Sequence, residues 1–409
     1  LDEIPSPYLN GMLDKFFDGR LTPFIETNRG CPFTCSFCHT GADYFHKLNK
    51  FSEQRVKDEI KFIGKKAANL GITNLHMADV NFGMYPQDRI TCELLLESNK
   101  TNNWPLEIMA TTGKNSKKRV MEITNILGNM FSINMSMQSM DEQVLRNIRR
   151  ANIKLDHMVE VNNHLIEQGR STKAELIMPL PGETKETFVR GLNSVLNSSA
   201  SSVTIYTLMM LNGTEFKNPD FRKKHGYTGK FRIVPLNFGE YNNERIFDFE
   251  EVGISTNDMS FNEYLSLRAL ALLVESLING KPFYEFFKYA KNYNIEAADL
   301  LKTMYDNIDL ASANIQKIMN GFIQETKGEL WDSEEELVAY YKIDENYKKL
   351  RNGEVGGNLI YKYKSKNLVE AGLEWVDFFE NQVFSEIKKK QISAKSFDSV
   401  KMELSEISK

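Results

Sequence analysis

The chain has 409 residues and 47.1 kDa, is 41% hydrophobic and 26% charged, and holds 24 Gly and 11 Pro, which excludes collagen-like, low-complexity and predominantly disordered classes. With 51 Lys and Arg against 55 Asp and Glu the net charge is -4, so no basic excess points to a nucleic-acid partner, and neither a long apolar run nor a signal-peptide layout points to a membrane or to export. Only four cysteines occur, three of them within eight positions, which excludes a disulfide scaffold and points to metal or redox chemistry in a reducing compartment, the cytoplasm being the expected one.

In chain order, short apolar, β-branched runs alternate with stretches of helical period between about residues 21 and 210, the layout of repeated βα units around a parallel sheet. The six predicted strands are 21–27, 74–78, 106–111, 131–138, 173–178 and 202–208. Between the first two, Val56, Ile60, Ile63, Ala67 and Leu70 line one helical face, with Gly71 as the stop. After the fourth strand, Ser139 and Glu142 have the spacing of a capping box and predict a helix through Val144, Leu145 and Ile148; a second helix is expected over about 155–168. Residues 213–260 mix glycines with charges and aromatics and read as an irregular crossing or lid segment. From 261 to 409 the chain is rich in Leu, Ala, Glu and Lys and reads as a helical region with a polar, frayed end.

The chemistry concentrates in Arg29-Gly30-Cys31-Pro32-Phe33-Thr34-Cys35-Ser36-Phe37-Cys38, directly after the first strand. Three thiolates spaced four and three apart on one loop can take three corners of a [4Fe-4S] cubane and leave the fourth iron open. Structural zinc is the rival reading, but it prefers four ligands, and His39 sits too close to Cys38 to serve easily. Cys92, alone in a predicted helix, reads as a buried hydrophobe. The fourth strand alternates strictly, and because a barrel strand is covered outside by helices, its polar set Asn134, Ser136 and Gln138 is expected to face the lumen.

The C-x-x-x-C-x-x-C loop with an aromatic before its last Cys, set after the first strand of a βα barrel, resembles the radical S-adenosylmethionine (radical SAM) superfamily. The resemblance implies a partial TIM-type (β/α)6 barrel over 21–212, a cluster held by Cys31, Cys35 and Cys38, and reductive cleavage of S-adenosylmethionine (SAM) to a 5'-deoxyadenosyl radical that acts on a small-molecule substrate. It also implies an electron donor such as flavodoxin or ferredoxin. The stretch from Ser136 to Asn152 resembles the family's QS...L...I.R segment, and Gln138 and Arg150 match its SAM-contacting positions. Glu175-Leu176-Ile177-Met178-Pro179-Leu180-Pro181-Gly182-Glu183-Thr184 is similar to D-L-I-x-G-L-P-G-E-T, with Glu175 suited to the ribose hydroxyls and Pro179 a departure that removes a backbone donor. Phe37 and Tyr206 are candidate adenine neighbours, with core packing as the equal alternative; Thr111 is a further candidate at the end of the third strand.

Met77-Ala78-Asp79-Val80-Asn81-Phe82-Gly83 replaces the common Gly-Gly-Glu and resembles the D-x-N-F variant of the branch that usually bears an N-terminal cobalamin-binding domain. There Asp79 is placed to take an amino group, with capping of the turn as the alternative. The opening IPSPY and the later FDFEEVGISTNDMS resemble the same branch, which makes residues 1–20 an interdomain linker. Position 1 is Leu, and cobalamin is expected only through a domain not present in this chain. Two rivals stand beside the radical enzyme: a cobalamin-dependent methyltransferase lacking that domain, and a non-catalytic iron-sulfur or zinc module. No residue is assigned a catalytic role.

Overall fold

The structure, a computed structural model, describes residues 1–112, 117–131, 133–152, 154–390 and 396–408. Its contacts form two compact units, one of Leu1–Met137, Arg149–Glu175 and Ser198–Ala200, the other of Gln138–Ile148, Leu176–Asn197 and Ser201–Lys409. Ser132, inside the predicted fourth strand, and part of the polar end lie outside the described residues.

In the first unit, strand β1 (Phe24–Ile25) pairs in parallel with β2 (Asn74–Met77), and β2 with β3 (Glu107–Met109). Ile25 lies opposite Met77, and Leu75 opposite Ile108; all four are buried, as both faces of a parallel sheet require. A parallel bridge from Ile108 to Phe131 leads on to β4 (Ile133–Gln138), which neighbours β5 (Thr172–Met178). In the second unit β6 (Ser202–Thr207) follows, and the Leu208 amide donates to the Met178 carbonyl at 2.7 Å. All six predicted strands are present, and the class is the expected α/β fold with a helical C-terminal region.

The helix Glu53–Asn69 starts at Ser52, whose hydroxyl accepts from the Arg55 amide at 3.2 Å. It buries Val56, Ile60, Ile63 and Ala67, the stripe that the spacing predicts. The helix Asp88–Asn102 carries Cys92 fully buried, and burial raises its thiol far above the usual range. Among the described residues no helix is long and apolar enough to cross a membrane.

Two expectations are corrected. The capping box of Ser139 and Glu142 does not form: the helix Glu142–Asn147 is capped by Asp141, which accepts from the Gln143 and Val144 amides at 2.9 and 3.1 Å. Ser139 instead donates at 2.7 Å to the buried Glu183, whose carboxyl is pushed up to about 8 by burial. The second correction concerns the segment expected to be irregular. It contains a long antiparallel hairpin, β7 (Thr228–Tyr241) and β8 (Glu244–Ser255), turned by Asn242 and Asn243 at φ of 51° and 63°. Two residues with positive φ make the tight turn that matches strand twist, and an Asn-Asn pair is one of the few that accept it. Ile233 and Phe247 of this hairpin pack with Leu337, Tyr341, Tyr347 and Leu350.

The rest of the second unit is helical. Ser260 and Glu263 form the capping box that opens Phe261–Leu273, a helix whose last nine residues except Ser266 are buried. The polar end, expected to fray, includes the helix Phe397–Ser408, which buries Val400 and Leu404.

Candidate active site

Two glycines shape the cysteine loop. Gly30, at φ 121°, would put a Cβ 2.5 Å from the Lys47 carbonyl oxygen, and Gly41 would put one 2.3 Å from that of Cys35, so the chain folds back on itself only if both stay glycine. Cys31 and Cys35 are buried and Cys38 half-buried. Each sulfur meets a polar group of the first unit: Asn81 Nδ2 donates to Cys31 Sγ at 3.3 Å, Arg150 Nη1 to Cys35 Sγ at 3.8 Å, and Thr40 Oγ1 lies 3.1 Å from Cys38 Sγ. Among the described residues no three His, Cys, Asp or Glu side chains are grouped to hold a single ion. A cubane bonds each thiolate at a different iron, and the three spaced thiols fit that donor set.

Arg150 is buried at 8% exposure and tied on every side. Its Nε donates to Asn152 Oδ1 at 2.9 Å, Nη2 donates to the Ser136 carbonyl, and the guanidinium lies 5.9 Å from the Phe37 ring centroid. Burial lowers its pKa, while the charges at Cys35, Cys38 and Glu175 oppose the shift. Ser136 donates to Glu175 Oε2, and Asn134 Nδ2 lies 3.5 Å from Glu175 Oε1, so these three residues of β4 and β5 meet. The strict alternation of β4 would leave one face in water on an ordinary sheet; here Ile133, Met135, Met137, Ser136 and Gln138 are all buried.

Asp79 is fully engaged. It accepts from the Thr27 amide at 2.7 Å, the Thr27 hydroxyl, the Asn28 amide at 3.3 Å and Asn28 Nδ2 at 3.1 Å. Burial nevertheless pushes its carboxyl up to about 6. The geometry makes it a clamp between the end of β2 and the residues that lead into the cysteine loop.

The remaining predicted residues are Thr111, Gln138 and Tyr206. Thr111 is exposed, and its neighbour Thr112 is the buried one, donating to the Asn134 carbonyl at 2.7 Å. Gln138 and Tyr206 belong to the second unit. Tyr206 is 48% exposed; Gln138 is buried at φ 65°, a left-handed conformation uncommon for a non-glycine residue, with Oε1 unpartnered. Sequence reasoning missed Thr40, Gly41 and Asn152, which carry no motif of their own. It also missed a group of orphaned atoms: Asn28 Oδ1, Ser36 Oγ, Tyr85 Oη, Gln87 Nε2 and Asp88 Oδ1 are buried without a partner, all in the first unit. Buried polar groups without a partner are uncommon, and each leaves a hydrogen bond that another group can make.

Residues 25–194 match the Radical SAM superfamily. The chain is 31% identical over 245 residues to the cobalamin-dependent radical SAM methyltransferase TokK of Streptomyces tokunonensis, covering 58% of this chain and 35% of that protein. It is 30% identical over 293 residues to the 2-(S-pantetheinyl)-carbapenam-3-carboxylate methyltransferase of Streptantibioticus cattleyicolor, covering 68% and 42%. The chain thus spans less than half the length of these curated relatives. A solved structure of the cobalamin-dependent SAM radical enzyme OxsB, with aqua-cobalamin and SAM bound, covers all of this chain and 61% of its own at 12% identity and a TM-score of 0.49, too low for an argument from likeness.

Proposed function

We propose that this chain, whose residues 25–194 match the Radical SAM superfamily, is a radical SAM enzyme that binds a [4Fe-4S] cluster through Cys31, Cys35 and Cys38 and acts on a small-molecule substrate. The observation that carries the reading is the loop of three thiols, each touched by a polar side chain of the same unit. When bound, the cluster and SAM supply reductive cleavage to a 5'-deoxyadenosyl radical. The protein's own part is to hold and orient. Asn81 and Arg150 donate to the Cys31 and Cys35 sulfurs and would orient them as ligands of the cluster. Ser136, Glu175 and Arg150 converge on one side of β4 and β5, where an acceptor pair and a guanidinium suit ribose hydroxyls and a carboxylate. Asp79 fixes the loop, and Phe37 beside Arg150 offers an aromatic face. Gln138 and Tyr206 remain proposed SAM contacts, and Thr111 a weaker one. A flavodoxin or ferredoxin in the cytoplasm is the proposed reductant.

A second reading, cobalamin-dependent methyl transfer, is supported by the names of both curated relatives. No residue of this chain is assigned to a corrinoid. Anaerobic reconstitution with SAM and a reductant separates the readings: 5'-deoxyadenosine without methylation supports radical chemistry alone, while S-adenosylhomocysteine and a methylated product, dependent on added cobalamin, support methyl transfer. Formation of neither nucleoside, with iron bound, would leave a non-catalytic iron-sulfur module.

A further inference from the structure

The second unit contains a buried cation with nothing to bind. Arg268, on the helix Phe261–Leu273, is 5% exposed, its Nε has no partner, and no hydrogen bond or ion pair joins it to any described residue. Its guanidinium lies 5.7 Å from the ring centroid of the fully buried Phe322. One turn beyond Phe322 on the same helical face, Thr326 Oγ1 is also buried and unpartnered. The nearby carboxylates are already committed: Arg232 donates to Glu250 Oε1 at 2.7 Å and to Glu329 Oε1 at 3.0 Å. Both of those carboxylates are paired with Arg232, and neither makes a hydrogen bond or ion pair with Arg268. A guanidinium at 5% exposure with its Nε buried and unpartnered is strongly disfavoured, and packing on one aromatic ring does not replace the lost hydrogen bond.

One turn before Arg268, Tyr264 brings its hydroxyl 3.5 Å from Thr207 Oγ1, the last residue of β6. The C-terminal ends of barrel strands are where barrel enzymes hold substrates. We propose that Arg268 is the anchor for a carboxylate group of a small-molecule substrate, received by its planar fork with Thr326 as a second donor. The fork of the guanidinium matches two carboxylate oxygens, and the ionised acceptor makes each bond charge-assisted. That the ligand is the substrate rests on the function proposed above; the carboxylate site itself does not.

The test uses the 409-residue chain labelled with 15N-arginine and acetate as the probe, against chloride at matched ionic strength. The Arg268 Nε–Hε resonance, assigned with R268K, should shift saturably with acetate. Wild-type Tm should rise with acetate; R268K should need roughly tenfold more for half-saturation, as one lost charged hydrogen bond implies. R268M should melt at or above the unliganded wild type and ignore acetate. A resonance that acetate leaves unmoved overturns the site, as does an R268M chain that fails to fold or melts well below wild type with no acetate response in the parent. Neither iron nor SAM is needed, so this failure and a failure of the radical chemistry are told apart.

Discussion

Around the cysteine loop of the first unit, five buried polar atoms between Asn28 and Asp88 have no partner, whereas Asn367, at the centre of the helical region, spends both ends of its amide. Its Nδ2 donates to Ser276 Oγ at 3.2 Å and its Oδ1 accepts from Trp375 Nε1 at 3.3 Å, with all three side chains fully buried. Asn367 is satisfied inside the helical region and adds to its stability; the cysteine end carries unpaired groups that a ligand can satisfy. Arg268, Thr326 and Trp331 depart from the satisfied pattern of Asn367, and of these Arg268 alone carries a charge.

The sharpest way to break this comparison is to remove a thiol. Cys31→Ala, Cys35→Ala or Cys38→Ala should abolish iron binding, which is about four irons per chain for a cubane. Cys92→Ala should keep it, read by iron analysis after anaerobic reconstitution. Equal iron loss in the Cys92 variant would sink the division of roles. The converse cut is Trp375→Ala, which removes a fully buried indole and should cost about 3–5 kcal/mol in denaturant unfolding while the iron content of the folded chain stays the same. A loss of iron there would show that the two regions do not act separately.

Smaller effects sharpen the contrast within the site. Arg150→Ala, Glu175→Ala and Gln138→Ala should each retain the cluster and weaken SAM by about 1.5–3 kcal/mol, roughly ten- to a hundredfold, if each removes a charge-assisted hydrogen bond. Equilibrium binding of SAM to the reconstituted variants measures this, and unchanged affinity in all three would overturn their placement. The smallest effect is a pH slope. Asp79 titrates near 6 in the folded chain because burial raises it, against about 4 when unfolded, so between those values the native state holds a proton that the unfolded chain has released. Stability contributed by the protonated form is therefore lost as pH rises through this window, by at most about 1.4 kcal/mol per pH unit. Asp79→Asn should flatten the difference in urea midpoints of the iron-free chain between pH 4 and 7; a wild-type slope of opposite sign attributable to Asp79 would refute the assignment.

What could be read in advance was whatever depends on near neighbours in the chain. The period of Val56, Ile60, Ile63 and Ala67 predicts its helix, the β-branched runs predict the strands, and three cysteines within eight residues announce a cluster before any folding is considered. Asn242 and Asn243 were legible in principle as a hairpin turn, but the mixed composition of the flanking strands, largely half-buried, hid the alternation that would have supported it. The choice between Ser139 and Asp141 as cap was decided by Glu183, 44 residues away in sequence, which takes the Ser139 hydroxyl.

The sequence by itself determined the six predicted strands, the grouping of three thiols on one loop and the family motifs, because these follow from side-chain chemistry and short spacings. Only the tertiary structure decided that Asp79 is used up by Thr27 and Asn28, that Asn81 reaches Cys31, that Thr112 rather than Thr111 is buried, and that Arg268 is left without an acceptor. The physical reason is range. Hydrogen bonds reach about 3 Å, and which donor comes that close to which acceptor depends on strands and helices brought together from distant parts of the chain.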